Sequence, residues 1–266
     1  LKNTQIISVI NQKGGVGKTT TVINLGTALS FRKKKVLIID LDPQGNATTG
    51  FGLSNNNNEK TIYDVLNGNY EFKDTISDTK IDNLKLVSSN VDLSGLEVET
   101  ATESRRAFLL KDKIETFIND AKNDFDYIFI DCPPSLNLLT VMSLVVAKSL
   151  IVPLQAEFFA LEGVSQLMKT IERIKVKLNP SLEVRGVLLT MFDKRNKLSS
   201  EVDVEARKFF KEKVYQTVIP RNVRLSEAPS HGLPVLIYDK SCTGSISYLN
   251  FAEEFLKQEN IMESAA

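Results

Sequence analysis

The densest chemistry in the sequence lies in Asn11-Gln12-Lys13-Gly14-Gly15-Val16-Gly17-Lys18-Thr19-Thr20. An apolar run at 6–10 leads into it, and a segment with helical spacing follows over 18–31. A strand, a glycine loop and a helix in that order make a cradle for phosphate. Gly14, Gly15 and Gly17 allow the backbone to turn successive N–H groups inward onto anionic oxygens, and the helix N-terminus adds to that field. In such a cradle Lys18 reaches the β- and γ-phosphates, the Thr19 hydroxyl ligates Mg2+, and Thr20 lies near the α-phosphate. The strict G-x-x-x-x-G-K-[ST] spacing is not met, because Gln12 stands where its first glycine belongs. Two other readings stand beside this one. One is a glycine-rich turn without a ligand. The other is a dinucleotide site, with Gly15 and Gly17 before the helix and Asp40 closing the next strand about 20 residues on. That alternative puts Thr20 in place of a third glycine and leaves Lys18 and Thr19 without a task.

Three carboxylates belong to the same region. A helix over 19–31 rises about 20 Å and a strand over 36–40 returns about 16 Å, which brings Asp40 and Asp42 back near the loop. A carboxylate there can orient an attacking water or sense a γ-phosphate, and Pro43 with Gly45 makes the segment a turn able to rearrange. The plainer reading is two solvated loop acids. Asp131 closes the apolar run Tyr127-Ile128-Phe129-Ile130 and precedes Cys132-Pro133-Pro134. An acid at the end of a buried strand is costly unless ligated, so Asp131 is expected to hold Mg2+ directly or through water. Its alternative role is to cap a helix starting near Ser135. Cys132 reads as a small core residue.

These residues need a scaffold. Runs rich in Val, Ile and Leu at 6–10, 36–40, 126–130, 149–153, 184–189 and 214–219 read as buried strands. Helical spacing fills 18–31, 104–121, 136–147, 158–178 and 199–212, with a small helix near 61–67. The alternation predicts an α/β fold, a mostly parallel twisted sheet with helices on both faces. The stretch 50–100 is the least regular, and Asn55-Asn56-Asn57-Asn58 reads as an exposed loop. No repeat or linker divides the 266 residues, so one domain over 1–266 is expected.

Composition removes several classes. With 42% hydrophobic and 25% charged residues, the chain can build a core and is neither fibrous nor wholly disordered. No apolar stretch approaches the roughly 20 residues of a membrane span. Cys132 and Cys242 form no disulfide framework or zinc spacing. The first ten residues lack the apolar run and cleavage site of a secretory signal, so a cytoplasmic location is expected. The 33 basic and 33 acidic side chains cancel, so any nucleic-acid binding must come from a local patch.

Lys13 to Thr20, Asp40-Leu41-Asp42-Pro43-Gln44-Gly45-Asn46 and Asp131-Cys132-Pro133-Pro134-Ser135 together resemble the deviant Walker ATPases. Pro220-Arg221-Asn222-Val223-Arg224-Leu225-Ser226-Glu227-Ala228-Pro229-Ser230-His231-Gly232 narrows the resemblance to the ParA/Soj chromosome-partitioning ATPases. The likeness runs from about residue 5 to 258. It implies a P-loop fold and an ATP-dependent homodimer in which Lys13 of each subunit reaches the partner's nucleotide, much as an arginine finger acts in trans. By the same resemblance, ATP is bound by Lys13, Gly14, Gly15, Val16, Gly17, Lys18, Thr19 and Thr20, with Pro220 and Asn222 bordering the adenine. Lys13, Lys18 and Asp42 support hydrolysis. Mg2+ is held by Thr19, with Asp131 and Asp42 directly or through water, and Gly14 lies at the dimer contact.

The family's ATP dimer binds DNA without sequence preference, and a ParB-type centromere-binding partner accelerates hydrolysis and releases it. The resemblance places DNA contacts at Arg195, Arg221 and Arg224 and implies association with the nucleoid. For most single lysines in the basic clusters around 194–213, an ordinary solvated surface is the competing reading. MinD relatives share the first three motifs but bind membrane through a basic amphipathic C-terminal helix. Here Leu249, Ala252, Phe255 and Leu256 are expected on one face with acids opposite, so that helix should pack on the body and no membrane is bound. Nitrogenase iron-protein relatives need paired cysteines for a shared cluster, and Cys132 and Cys242 do not supply them.

Overall fold

The computed structural model describes residues 4–53, 60–120, 124–157 and 160–265. The expected loop at Asn55–Asn58 lies outside the described residues. Among the described residues seven strands form one sheet: β1 (Gln5–Val9), β2 (Val36–Asp40), β3 (Ile76–Asp78), β4 (Leu84–Val87), β5 (Tyr127–Asp131), β6 (Ser149–Gln155) and β7 (Glu183–Thr190). Their order is β3-β4-β2-β5-β1-β6-β7, all neighbours parallel except the β3–β4 pair. The long helices are α1 (Lys18–Phe31), α2 (Leu109–Asn119), α3 (Leu138–Val146), α4 (Ala160–Lys177), α5 (Lys197–Phe210) and α6 (Thr243–Ala265).

Alternate strand residues face opposite sides, and both sides are covered, which is why the strands read as unbroken apolar runs. Ile6, Leu37, Ile39, Ile128 and Ile130 point to the side packed by α2, α3, α4 and α5. Ile7, Val36, Ile38, Tyr127 and Phe129 point to the side packed by α1 and α6. Parallel register sets Asp131 beside Val9 on one flank and beside Asp40 on the other. The glycine loop and the carboxylates therefore meet at the C-terminal edge of the sheet, where open α/β sheets bind ligands.

Four expectations need correction or refinement. The run at 214–219 is not a strand. It makes single bridges, Val187 with Val214 and Phe192 with Pro220, because the amides of Gln216 and Thr217 turn to the Glu254 carboxylate instead of a ladder. The stretch 50–100 is more regular than expected, for it contains β3 and β4; the small helix expected near 61–67 is present as Ile62–Leu66, opened by a Thr61/Asp64 capping box. On α6 the fully buried side chains are Tyr248, Phe251, Ala252 and Phe255, while Leu249 and Leu256 are only half-buried. The helix still packs on the body, along α1. The helix expected over 104–121 begins as a 3-10 turn at Arg106–Phe108 and becomes α2 at Leu109.

Candidate phosphate-binding cleft

The chain between β1 and α1 is fastened along its first half and left open in its second. Asn11 Nδ2 donates to the Pro153 carbonyl at 2.7 Å, and Asn11 Oδ1 accepts the Lys13 amide at 3.0 Å. Gln12, standing in the place of a glycine, donates through Nε2 to the Gly163 carbonyl on α4 at 2.8 Å. The Thr190 hydroxyl at the end of β7 donates to the Val16 carbonyl at 2.8 Å. Gly15 and Gly17 take left-handed conformations, φ 73° and 90°, which an L side chain would resist. Gly17 is also the N-cap of α1 and offers no side chain to the helix's first amides, leaving them for an anion.

A cavity of about 590 Å³ opens over this loop, within the range of small-molecule sites. Gly14, Gly15, Gly17, Lys18, Thr19 and Thr20 form one wall. Asp42, Gln44, Asn46 and Thr49 form another, and Ile219, Pro220, Arg221 and Asn222 a third. The structure thus brings together most of the residues singled out from the sequence. It does not place Val16, Lys13, Asp40, Asp131, Arg195 or Arg224 on the cavity wall. The Val16 side chain is buried beneath the loop. Lys13 stands outside the cavity, half-exposed and ion-paired with Glu157 just beyond β6.

Lys18 is buried, its ammonium donating to the Lys13 carbonyl at 3.0 Å. Burial pulls its pKa down, and the neighbouring carboxylates Asp131 and Asp42 oppose that shift. The carboxylates differ sharply. Asp40 is consumed by the fold: Oδ2 accepts both the amide and the hydroxyl of Thr48 at 2.8 Å, and Oδ1 accepts the Asp42 amide at 3.2 Å. Burial still pushes its pKa up to about 6. Asp42 accepts the Gln44 amide at 3.0 Å through Oδ1 and lines the cavity. Asp131 is fully buried, and neither of its carboxylate oxygens has a hydrogen-bond partner. Burial and the neighbouring Asp40 hold its pKa well above the usual range. Thr19 lies close enough to offset this in part without the geometry of a hydrogen bond.

A buried carboxylate with both oxygens orphaned, beside a threonine hydroxyl, fits a hard divalent cation that compensates its charge. Among the described residues, no group of three or more His, Cys, Asp or Glu could hold a metal alone. Mg2+ takes one or two carboxylates and completes its shell with phosphate oxygens and water. Cys132 is buried, donates to the Ser143 hydroxyl at 3.1 Å, and is pushed up to about 12 by burial.

A family model described as an AAA domain matches residues 4–184. Over 262 residues the chain is 50% identical to the chromosome partitioning protein ParA of Caulobacter vibrioides, covering 98% of this chain and 97% of that relative. It is 47% identical over 250 residues to the sporulation initiation inhibitor protein Soj of Bacillus subtilis, covering 94% and 97%. The chain belongs to the ParA/Soj family of chromosome-partitioning ATPases. A crystal structure of cobyrinic acid a,c-diamide synthase from Mycobacterium smegmatis with a bound ATP analogue and magnesium has the same fold. Its TM-score is 0.84 at 34% identity, over 96% of this chain and 94% of that one.

In this ParA/Soj chain the arginines are not equivalent. Arg195 is 91% exposed, yet its guanidinium lies 3.0 Å from both Asp193 oxygens, which holds that carboxyl at about 2. Arg224 is 2.8 Å from Glu227 and 3.5 Å from Asp239. Arg221 lies on the cleft wall and its charge reaches Asp193. Asn222 caps the short helix Val223–Glu227, accepting the Arg224 amide at 2.8 Å, and donates to the Thr243 hydroxyl at 2.8 Å. His231 stacks on Tyr238, centroids 4.8 Å apart, which gives it a structural place.

The sequence did not single out Thr190, Met191, Leu225 or Tyr248 as cavity residues, yet they also line it. Tyr248 reaches it from α6, its hydroxyl 3.2 Å from that of Thr21 on α1. Met191 has a left-handed backbone, φ 50°, which is uncommon outside glycine. The available signal was its place just after β7, at the sheet edge that lines ligand crevices.

Proposed function

We propose that this chain, acting over residues 1–266 as one domain, is an ATP-controlled dimerisation switch that drives DNA partitioning. The observation that supports it most is the division between the two loop lysines. Lys18 lies buried in the cavity, whereas Lys13 stands outside its own cavity at an exposed rim. Lys18 and the amides of Gly14 to Thr20 grip the β- and γ-phosphates of ATP within one subunit. Lys13 leaves Glu157 and places its ammonium on the nucleotide of a second subunit, with Gly14 at the contact between them. Positive charge supplied in trans at the transferring phosphoryl group stabilises the transition state and makes hydrolysis depend on dimerisation.

Thr19 and Asp131 would hold Mg2+, with Asp42 contributing through water, and the ion would supply positive charge against the phosphates. Asp42, on a turn fixed by the Asp40–Thr48 bonds, orients the water that attacks the γ-phosphate. Met191, Ile219 and Pro220 offer an apolar wall to the adenine, with Asn222 at its border.

The dimer binds DNA without sequence preference through Arg195, Arg221 and Arg224, and turnover stimulated by a ParB-type partner ends the bound state. Because Arg195 and Arg224 already have carboxylate partners, DNA phosphate must displace Asp193, Glu227 and Asp239. Binding will be weak for one subunit, steeper in two, and sensitive to salt. The site of action is then the cytoplasm, on the nucleoid. No helix among the described residues is long and apolar enough to cross a membrane.

The test is gel filtration and DNA binding of the wild type and Asp42→Ala, each with ADP and with ATP. The reading expects a DNA-bound dimer with ATP alone, persistent in Asp42→Ala. A chain that stays monomeric with ATP in both forms would contradict it.

A further inference from the structure

The segment Val214–Ile219 is rich in residues that favour strands, yet a side chain holds its middle. Tyr215 donates its amide to the Val187 carbonyl at 3.0 Å and Ile219 donates to Leu189 at 2.8 Å, so both ends follow β7. Between them the amides of Gln216 and Thr217 donate to the two oxygens of the Glu254 carboxylate, at 2.6 and 2.8 Å. Charge-assisted bonds of this kind are among the stronger ones a surface segment can make. Glu254 stands on α6, whose Tyr248, Phe251 and Phe255 are fully buried, so the carboxylate is presented from a rigid element.

Two residues beyond Thr217 the chain becomes the cleft wall. Ile219, Pro220, Arg221 and Asn222 line the cavity, and the Arg221 amide fixes their far end on the Phe192 carbonyl at 3.1 Å. Glu254 itself does not line the cavity. Ile219 and Pro220 are apolar and suited to a base, whereas phosphate is met by the loop amides and Lys18, on a different stretch of chain. We infer that Glu254 is a positioning residue for the nucleoside half of the site: by holding two successive amides it sets the path of 216–222 and places Ile219 and Pro220 against the base. This rests on the nucleotide reading given above. It adds that affinity for the base, separately from affinity for phosphate, is governed from α6.

The experiment compares ATP with inorganic tripolyphosphate, each displacing a fluorescent ATP analogue in the presence of Mg2+. Glu254→Gln keeps the size of the side chain but replaces one acceptor by a donor facing an amide. It is expected to weaken ATP about tenfold while tripolyphosphate stays within about twofold. Glu254→Asp, which keeps the charge and loses reach, should fall between, and its split is read instead if the glutamine variant does not fold. Faster amide exchange confined to 214–222 in the variant would support the same assignment. Equal weakening of both ligands, or unchanged ATP affinity, overturns it while leaving the nucleotide reading intact. A wild type that binds neither ligand overturns both.

Discussion

Gly52 and Gly232 meet backbone to backbone. A methyl group built on Gly232 would lie 2.5 Å from the Cα of Gly52, and one built on Gly52 would lie 3.0 Å from the Gly232 carbonyl oxygen. Both are left-handed, φ 70° and 62°. The pair joins the end of the Asn46–Gly50 helix, which follows Asp42, to the turn that follows the arginine segment. No flexible side chain is there to yield, so Gly232→Ala should lower the melting temperature by roughly 5–10 °C. Gly68, at φ 79° with nothing within 4 Å of an added methyl group, is the control. Gly68→Ala carries only the conformational cost and should lose about 2–4 °C. Melting followed by circular dichroism separates the two.

Lys18→Ala removes the only loop lysine inside the cavity. ATP affinity measured by calorimetry should fall about a hundredfold or more, with little change in melting temperature of the free protein. Retained affinity would remove the glycine loop from the site.

Asp42→Ala should bind ATP normally and lose turnover by roughly 10²–10⁴-fold, the range for a positioned acid–base group. Phosphate release under single-turnover conditions checks this. Unchanged turnover would leave Asp42 as a turn former only, bonded to Gln44.

Lys13→Ala should bind ATP with near wild-type affinity as a monomer and fail to dimerise, as seen by light scattering. The Lys13–Glu157 pair is half-exposed and worth at most about 1 kcal/mol, so it is a weak restraint. Glu157→Gln should therefore shift the dimerisation midpoint by no more than about fivefold. A loss of ATP binding in Lys13→Ala would place that lysine in its own subunit's site.

Cys132 and Cys242 should differ in reactivity. Burial and a pKa of about 12 keep Cys132 a thiol, while Cys242 is partly exposed. Brief treatment of native protein with iodoacetamide at neutral pH should label Cys242 alone, as read by peptide mass spectrometry.

The strands at 6–10, 36–40, 126–130, 149–153 and 184–189 were legible because burial on both faces leaves continuous apolar runs. β4 was not, since Leu84–Val87 is four residues with Lys85 among them and owes its place to pairing with β2. The segment 214–219 has the composition of a strand and was misread, because a carboxylate almost forty residues later takes its amides. In the site, the loop and the acids at strand ends were legible because short local spacing fixes them. The remaining wall was not: Thr190 and Met191 at the end of β7, Leu225 in the arginine segment and Tyr248 on α6 meet only through packing. The partner of Lys13 was hidden for the same reason, since Glu157 follows β6, which lies beside β1 only in the folded sheet.

The diverted segment also changes what the outer margin of β7 offers to neighbours. Its outward carbonyls at Val187 and Leu189 are taken by Tyr215 and Ile219, and the stretch covering them is pulled aside before it could present a row of its own. At the opposite margin, β3 is only three residues long and runs against the rest. Both borders are thereby poor templates for sheet extension, the usual route to aggregates when copies are crowded together.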